Sequence, residues 1–402
     1  MNTIANKRFT AFKLTFLVVS CLFFAISAQA ADSPRYLIKS KSQFLRNAFN
    51  ARHTFDNGFT ADLNDWQLRL TKVLGVEIKP VKVFQIMPSE VEKASPTASP
   101  ETRTEPSEQI TWGVKYIYNS NDMTALTGGK EVRVAVLDTG IDTTHPDLQS
   151  RIALCRDFSN ARFALVESKC DDANGHGTHV AGIIAADGGS DGVGIYGVAP
   201  EADLLVLKVC SVSGACLADD VAAGIDSAVE EGANIINLSL GSDRSSDLVK
   251  QAVQRAVDSG VLVVGAAGND GPYSDSIDYP ATDKNVISVG AFGLNFEMAE
   301  WSSRGLNKKT KPEVREDHDI EFAAPGVNIE STWKGGGYAV LSGTSMAAPF
   351  ISGLAAKEWE KYILLDPKDI AKNLRSDLDK NALDLAPLGD DDASGFGFPR
   401  VK

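Results

Sequence analysis

Glu131-Val-Arg-Val-Ala-Val-Leu-Asp-Thr-Gly140 reads as a short β-strand that stops on a carboxylate. Val132, Val134, Ala135, Val136 and Leu137 make a near-continuous apolar run, the pattern of a strand covered on both faces. Residues 203–209, 233–240, 260–266 and 285–290 repeat the pattern, and 219–231 and 247–259 between them carry helical spacing. This alternation predicts an α/β fold, doubly wound, with a largely parallel sheet and helices on both faces. Ligands of such sheets gather beyond the carboxyl ends of the strands, so the residues that follow each strand are where chemistry is expected.

Outward from this block, residues 88–110 are rich in Pro, Ser, Thr and Glu and read as a linker. Residues 31–87 read as a small α+β domain, with strands at 35–40 and 81–86 and helices at 43–51 and 66–73. Lys7, Arg8 and Lys13 precede an apolar stretch at 14–26 and then Ala28-Gln-Ala30. That is the make-up of a cleaved secretory signal, too short for a spanning helix, so residues 1–30 imply export to an extracellular or periplasmic space and no stable membrane anchor. The main domain is expected over 111–402.

The chain of 402 residues carries −13 at pH 7, and residues 107–402 hold 26 basic against 44 acidic side chains. So negative a body repels phosphate backbones, which argues against nucleic acid as a partner. Removing the signal leaves Cys155, Cys170, Cys210 and Cys216. An even count in an exported protein favours disulfides; of the three connectivities, the sequence-local one, Cys155–Cys170 with Cys210–Cys216, is the expectation, against free buried thiols.

Three polar residues stand in telling contexts. Asp138 ends the first strand, His176 lies in Asn174-Gly-His-Gly-Thr-His179, and Ser345 lies in Ser342-Gly-Thr-Ser-Met-Ala-Ala-Pro349. A serine hydroxyl becomes a nucleophile when a neutral imidazole takes its proton, and the imidazole needs a carboxylate to fix its tautomer. Ser345 at a helix N-terminus adds a backbone N–H for a developing oxyanion. Asn269, at the end of the apolar run that starts at Gly260, can add a side-chain donor. His176 and His179 form a His-x-x-His pair, but no water-activating glutamate accompanies them as a zinc protease requires. Asn237-Leu-Ser239 satisfies a glycosylation pattern inside an expected strand, where a glycan would destroy the core.

The order Asp…His…Ser, with Asp138-Thr-Gly140, His176-Gly-Thr-His-Val-Ala-Gly182, Ala267-Gly-Asn269 and Gly343-Thr-Ser-Met-Ala-Ala-Pro349, resembles the subtilisin-like serine proteases over about residues 112–398. The resemblance implies a serine endopeptidase, made as a precursor, that hydrolyses peptide bonds through an acyl-enzyme. Its partners would be protein or peptide substrates and its own prodomain, residues 31–87. The other class to weigh is a catalytically silent peptide-binding protein that retains the fold. The resemblance further implies that Ser239, Leu240 and Gly241 line one side of the substrate and that Ala266, Ala267 and Gly268 wall the pocket for the residue before the cut. Asp278 falls at the base of that pocket and would favour Lys or Arg there; Arg103 would then be a self-cleavage point. Catalysis needs no cofactor, whereas structural calcium is expected at Asp147, helped by Asp187 and Asp191 of a glycine-rich loop. Phe350-Ile351 stands where many relatives have His-Val.

Overall fold

The computed structural model of the chain describes residues 34–86, 100–190, 192–308, 314–385 and 387–401. The leader expected at 1–30, residues 31–33 and 87 of the expected small domain, residues 88–99 of the expected linker and Asp191 lie outside the described residues. The chain divides into two compact units between Val81 and Lys82.

The first unit contains β1 (Arg35–Ile38), α1 (Gln43–Ala48), β2 (Thr54–Phe55), β3 (Gly58–Asp62), α2 (Asp65–Val73) and β4 (Ile78–Pro80). Its sheet runs β2-β3-β1-β4, with β1 antiparallel to both neighbours. Helix α2 begins at a capping box, in which Asn64 Oδ1 accepts from Gln67 N–H while Gln67 Oε1 accepts from Asn64 N–H. Ile38, Phe49, Phe59, Ala61 and Leu63 form a small separate core. The sequence reading gave β1 and both helices here, and missed the β2–β3 hairpin.

The second unit opens with β5 (Val83–Ile86), β6 (Thr102–Arg103) and α3 (Trp112–Tyr118). Then come β7 (Arg133–Asp138), β8 (Ile152–Asp157), β9 (Val166–Glu167), α4 (His176–Ala185), β10 (Asp203–Lys208) and β11 (Ala215–Leu217). The chain continues through α5 (Ala218–Glu230), β12 (Ile235–Leu238), β13 (Leu240–Gly241), α6 (Asp247–Asp258), β14 (Leu262–Ala266) and β15 (Val286–Phe292). It closes with β16 (Phe322–Pro325), β17 (Ile329–Trp333), β18 (Gly337–Leu341), α7 (Thr344–Trp359) and α8 (Pro367–Asn381), followed by a short terminal pairing. The main sheet has the order β16-β15-β14-β12-β7-β10-β8-β9, parallel throughout except for β9 at one edge. Val134, Ala135, Val136 and Leu137 of β7 are all buried, as a strand covered on both faces requires.

Two expectations need correcting. Val83–Ile86 does not close the small domain but pairs within the second unit, antiparallel to β11 and β13, so the compact boundary falls at Val81 rather than Met87. Residues 100–110 are no linker. Thr102 and Arg103 pair with β18, Ile110 is buried, and the Glu330 carboxylate takes Arg103 at 3.2 Å and the Ser107 N–H at 3.0 Å. Arg103 is thus strand-paired and ion-paired, not offered as an extended loop to a protease.

Both expected disulfides, Cys155–Cys170 and Cys210–Cys216, are formed. Phe350 is fully buried, and its ring sits 2.4 Å from where a Cβ on Gly113 would lie, so the glycine of α3 makes room for the bulkier residue of α7. Among the described residues no helix is long and apolar enough to cross a membrane.

Candidate active site

The site grows from the carboxyl ends of three adjacent strands. Asp138 is the last residue of β7, Ser239 follows β12, and Asn269 follows β14 by three residues. Since β7, β12 and β14 are neighbours at about 4.8 Å spacing, these positions fall within roughly 10 Å across the sheet.

Asp138 is 1% exposed and receives the His176 ring, with Nδ1 2.8 Å from Oδ1 and 3.0 Å from Oδ2. Thr139 N–H donates to the same carboxylate at 2.6 Å. With Nδ1 bonded to the carboxylate, a neutral imidazole would carry its proton there and leave Nε2 as an acceptor. His176 is the first residue of α4, and the approach to β7 is close: a Cβ on Gly177 would meet the Gly140 carbonyl at 2.2 Å. Asp172, which the sequence reading did not single out, fixes this turn. Its Oδ1 accepts from Thr139 Oγ1 at 2.8 Å and Gly175 N–H at 2.8 Å, and its Oδ2 from Thr178 N–H at 2.9 Å and Thr178 Oγ1 at 2.8 Å. An aspartate just ahead of a glycine turn that opens a helix is a capping signal, and it was there to be read.

His179 serves packing, as expected. Its Nε2 lies 3.1 Å from the carbonyls of Ile329 and Ala339, and complete burial pushes its pKa down to about 3. It is a neutral donor and no partner of His176 in a metal site.

Ser345 is the second residue of α7, is fully buried, and donates its hydroxyl to the Ser239 carbonyl at 3.2 Å. Helices α4 and α7, which begin at His176 and next to Ser345, pack against each other. Asn269 reaches the same helix start. Its Oδ1 accepts from Thr344 N–H and Thr344 Oγ1, each at 3.0 Å, while Thr344 Oγ1 accepts from Gly268 N–H at 3.1 Å. With its oxygen so engaged, Asn269 keeps Nδ2 on the Gly343 side, 3.3 Å from where a Cβ there would sit. The flip is therefore defined by the hydrogen bonds, and the donor faces the turn that carries Ser345. Thr344 is a second residue the sequence reading passed over.

Leu240 and Gly241, expected beside the substrate, form β13, which shares a three-stranded sheet with β11. Between them runs β5, with Ile86 opposite Leu240, Gln85 opposite Gly241 and Phe84 opposite Cys216. Ala266 ends β14, and Ala267 and Gly268 follow it beside Asp278, whose N–H donates to the Ala267 carbonyl at 2.8 Å and whose Oδ2 lies 2.9 Å from a Cβ position on Gly268. Asp278 is buried, and carboxylate oxygens of Asp243, Asp270 and Asp278 lie within 4.8 Å of one another. Asp243 and Asp270 were not foreseen. They line a groove of about 480 Å³ with Ser245, Asp275, Tyr279 and His318.

The residues expected at a calcium site differ in how their carboxylates are held. Asp147 Oδ2 accepts from Ile195 N–H and Tyr338 Oη at 2.9 Å each, but its Oδ1 is buried without a hydrogen-bond partner, and burial raises the carboxyl pKa. Gln109 donates to the carbonyls of Gly192 and Gly194, and a Cβ on Gly194 would lie 2.0 Å from Asp147 Oδ1. A buried acid with an orphaned oxygen beside loop carbonyls suits a hard cation. Asp187 is near enough for its N–H to donate to the Asp147 carbonyl at 3.0 Å, but its side chain has partners of its own. Its carboxylate is taken by Ser150 Oγ, by Arg151 at 3.4 Å and by Gly189 N–H at 3.1 Å.

Comparison with known proteins agrees with this geometry. The profile of the Subtilase family matches residues 129–397. A curated protein named Subtilisin, from Bacillus sp. (strain TA39), is 39% identical over 94% of this chain and 93% of its own. M-protease of Shouchella clausii (strain KSM-K16) is 35% identical over 85% of this chain and 86% of its own. Among solved structures, Sphericase superposes with a TM-score of 0.68 at 44% identity, covering 74% of this chain and 99% of that one.

Proposed function

The chain belongs to the subtilase family of serine endopeptidases, and from that premise we propose that Asp138, His176 and Ser345 are its catalytic triad. Ser345 Oγ attacks the scissile carbonyl, His176 takes the proton and returns it to the leaving amine, and Asp138 stabilises the imidazolium. Asn269 Nδ2 and the Ser345 N–H bind the oxyanion; water then repeats the cycle on the acyl-enzyme. The observation that carries this reading is the buried His176–Asp138 pair at the strand edge where Ser345 and Asn269 also converge. Ser345→Ala should lower casein hydrolysis on the order of 10⁶-fold, a magnitude that comes from subtilisin itself. Activity within tenfold of the unsubstituted enzyme would refute the assignment.

Protein substrates are held extended between β11 and β13, main chain to main chain. Asp278, reinforced by Asp243 and Asp270, selects Lys or Arg before the cut. Residues 31–87 act as a prodomain; what supports the role is that the last described of them, Val83–Ile86, form β5 and pair in extended form with β11 and β13 inside the second unit. The precursor is exported through its leader, and two disulfides fit an oxidising compartment. Subtilases need no cofactor for catalysis. A structural calcium would be held by Asp147, Gln109 and the carbonyls of Gly192 and Gly194, and it would offset the buried carboxylate charge.

A further inference from the structure

Asn237-Leu-Ser239 cannot carry a glycan, since Asn237 and Ser239 are both fully buried, yet its side chains end next to the nucleophile. We propose that Asn237, Ser239 and Ser352 form a buried relay that holds the Ser345 backbone in place of the hydrogen bond that Pro349 removes.

In an α-helix the carbonyl of residue 345 would accept from the N–H of residue 349. In α7 that residue is proline, which has no N–H and whose ring crowds the carbonyl four residues before it. A buried carbonyl left without a donor is costly, so a partner must come from elsewhere. Ser239 Oγ supplies it at 2.9 Å. A hydroxyl has one proton, so Ser239 Oγ, having given it, can only accept. Asn237 Nδ2 donates to it at 3.0 Å, and Asn237 Oδ1 accepts from Ser352 Oγ at 2.8 Å. The donors run one way, from Ser352 through Asn237 and Ser239 to the Ser345 carbonyl. Ser352 lies seven residues after Ser345, on the same face of α7, and α7 packs across β12, which carries Asn237. The Ser239 carbonyl in turn accepts from Ser345 Oγ, so one residue holds both the nucleophile's main chain and its hydroxyl.

These are positioning residues for Ser345, and the inference rests on Ser345 being the nucleophile; sulfonylation of Ser345 by a sulfonyl fluoride tests that premise separately. The relay is tested by measuring kcat and KM on a chromogenic peptide amide for Ser239→Ala, Asn237→Ala and Ser352→Ala, each with and without Pro349→Ala. Ser239→Ala should lower kcat by about 10- to 100-fold, the scale of a misplaced reacting group. The midpoint of the acid limb of the pH profile should stay in place, since the relay ends on a backbone carbonyl and not on the imidazole. With Pro349→Ala an N–H returns to the helix, so the further loss from Ser239→Ala, relative to Pro349→Ala alone, should shrink to about threefold or less. A role in packing alone predicts the same loss in both backgrounds, and that result would overturn the relay. So would kcat within twofold of the unsubstituted enzyme for both Ser239→Ala and Asn237→Ala. If Ser239→Ala gives no folded protein, Ser352→Ala with and without Pro349→Ala decides by the same comparison: a loss relieved by Pro349→Ala supports the relay, and an unrelieved or absent loss refutes it.

Discussion

The two halves of the active site are built from different chemistry. Around His176 the fixed groups are anions: Asp138 on the ring and Asp172 on the turn that presents it. Around Ser345 they are neutral, with Ser239 and Thr344 hydroxyls, the Asn269 amide and backbone N–H groups. The division follows from the charges that develop. In the proposed reaction the imidazole becomes a cation, so carboxylates in a dry setting favour it. In the same proposed reaction the substrate carbonyl oxygen becomes an anion, so its neighbours must be donors, and a carboxylate there would raise the barrier.

The sharpest way to break this contrast is to neutralise the anionic half. Asp138→Asn keeps the shape but offers an amide to His176 Nδ1, favouring the wrong tautomer. Turnover should fall by about 10⁴-fold with little change in KM. A drop below tenfold would show that the carboxylate charge is not what that half supplies. On the neutral side, Asn269→Ala should cost about 10²–10³ in kcat, a range that also comes from subtilisin. If KM rose instead while kcat held, Asn269 would be binding ground-state substrate. Asp278→Asn probes the cleft wall near Asn269, where acidic groups return. It should reduce kcat/KM after Lys or Arg by about tenfold or more and leave cleavage after Leu or Phe within about twofold. Equal losses on both would remove Asp278 as a selector.

The smallest effect concerns Asp147, on the loop that follows Asp138. Burial raises its folded pKa above the unfolded value, so in the absence of a cation its contribution to stability is present at low pH and is lost as pH rises through the folded pKa. At neutral pH in chelator, Asp147→Asn should therefore leave the melting temperature unchanged or raise it. In millimolar calcium the same substitution should lower it by several degrees, because ligand binding to the folded state is lost. A melting temperature of the unsubstituted protein that ignores both calcium and chelator would exclude the site.

What could be read from the sequence follows the same division. Buried strands announce themselves as apolar runs, so β7, β12 and β14 were legible, and the four residues proposed for the site stand just past such runs or at helix starts. Thr344 and Asp172 were not singled out, because a hydroxyl or a capping carboxylate gains meaning only through partners distant in sequence, such as Asn269 or Thr139. Val83–Ile86 was read correctly as a strand, but its partners, β11 and β13, lie more than a hundred residues away, so its membership could not be seen. Residues 100–110 looked like linker by composition. What anchors them is Glu330, a tertiary contact with no local signature.

Mass spectrometry after treatment with a fluorophosphonate probes the joining of the two halves most directly. One adduct per chain should form, on Ser345, and His176→Ala should slow its formation by several orders of magnitude. Stoichiometric labelling at another serine, or labelling of Ser345 at the same rate without His176, would contradict a nucleophile activated across the strand edge.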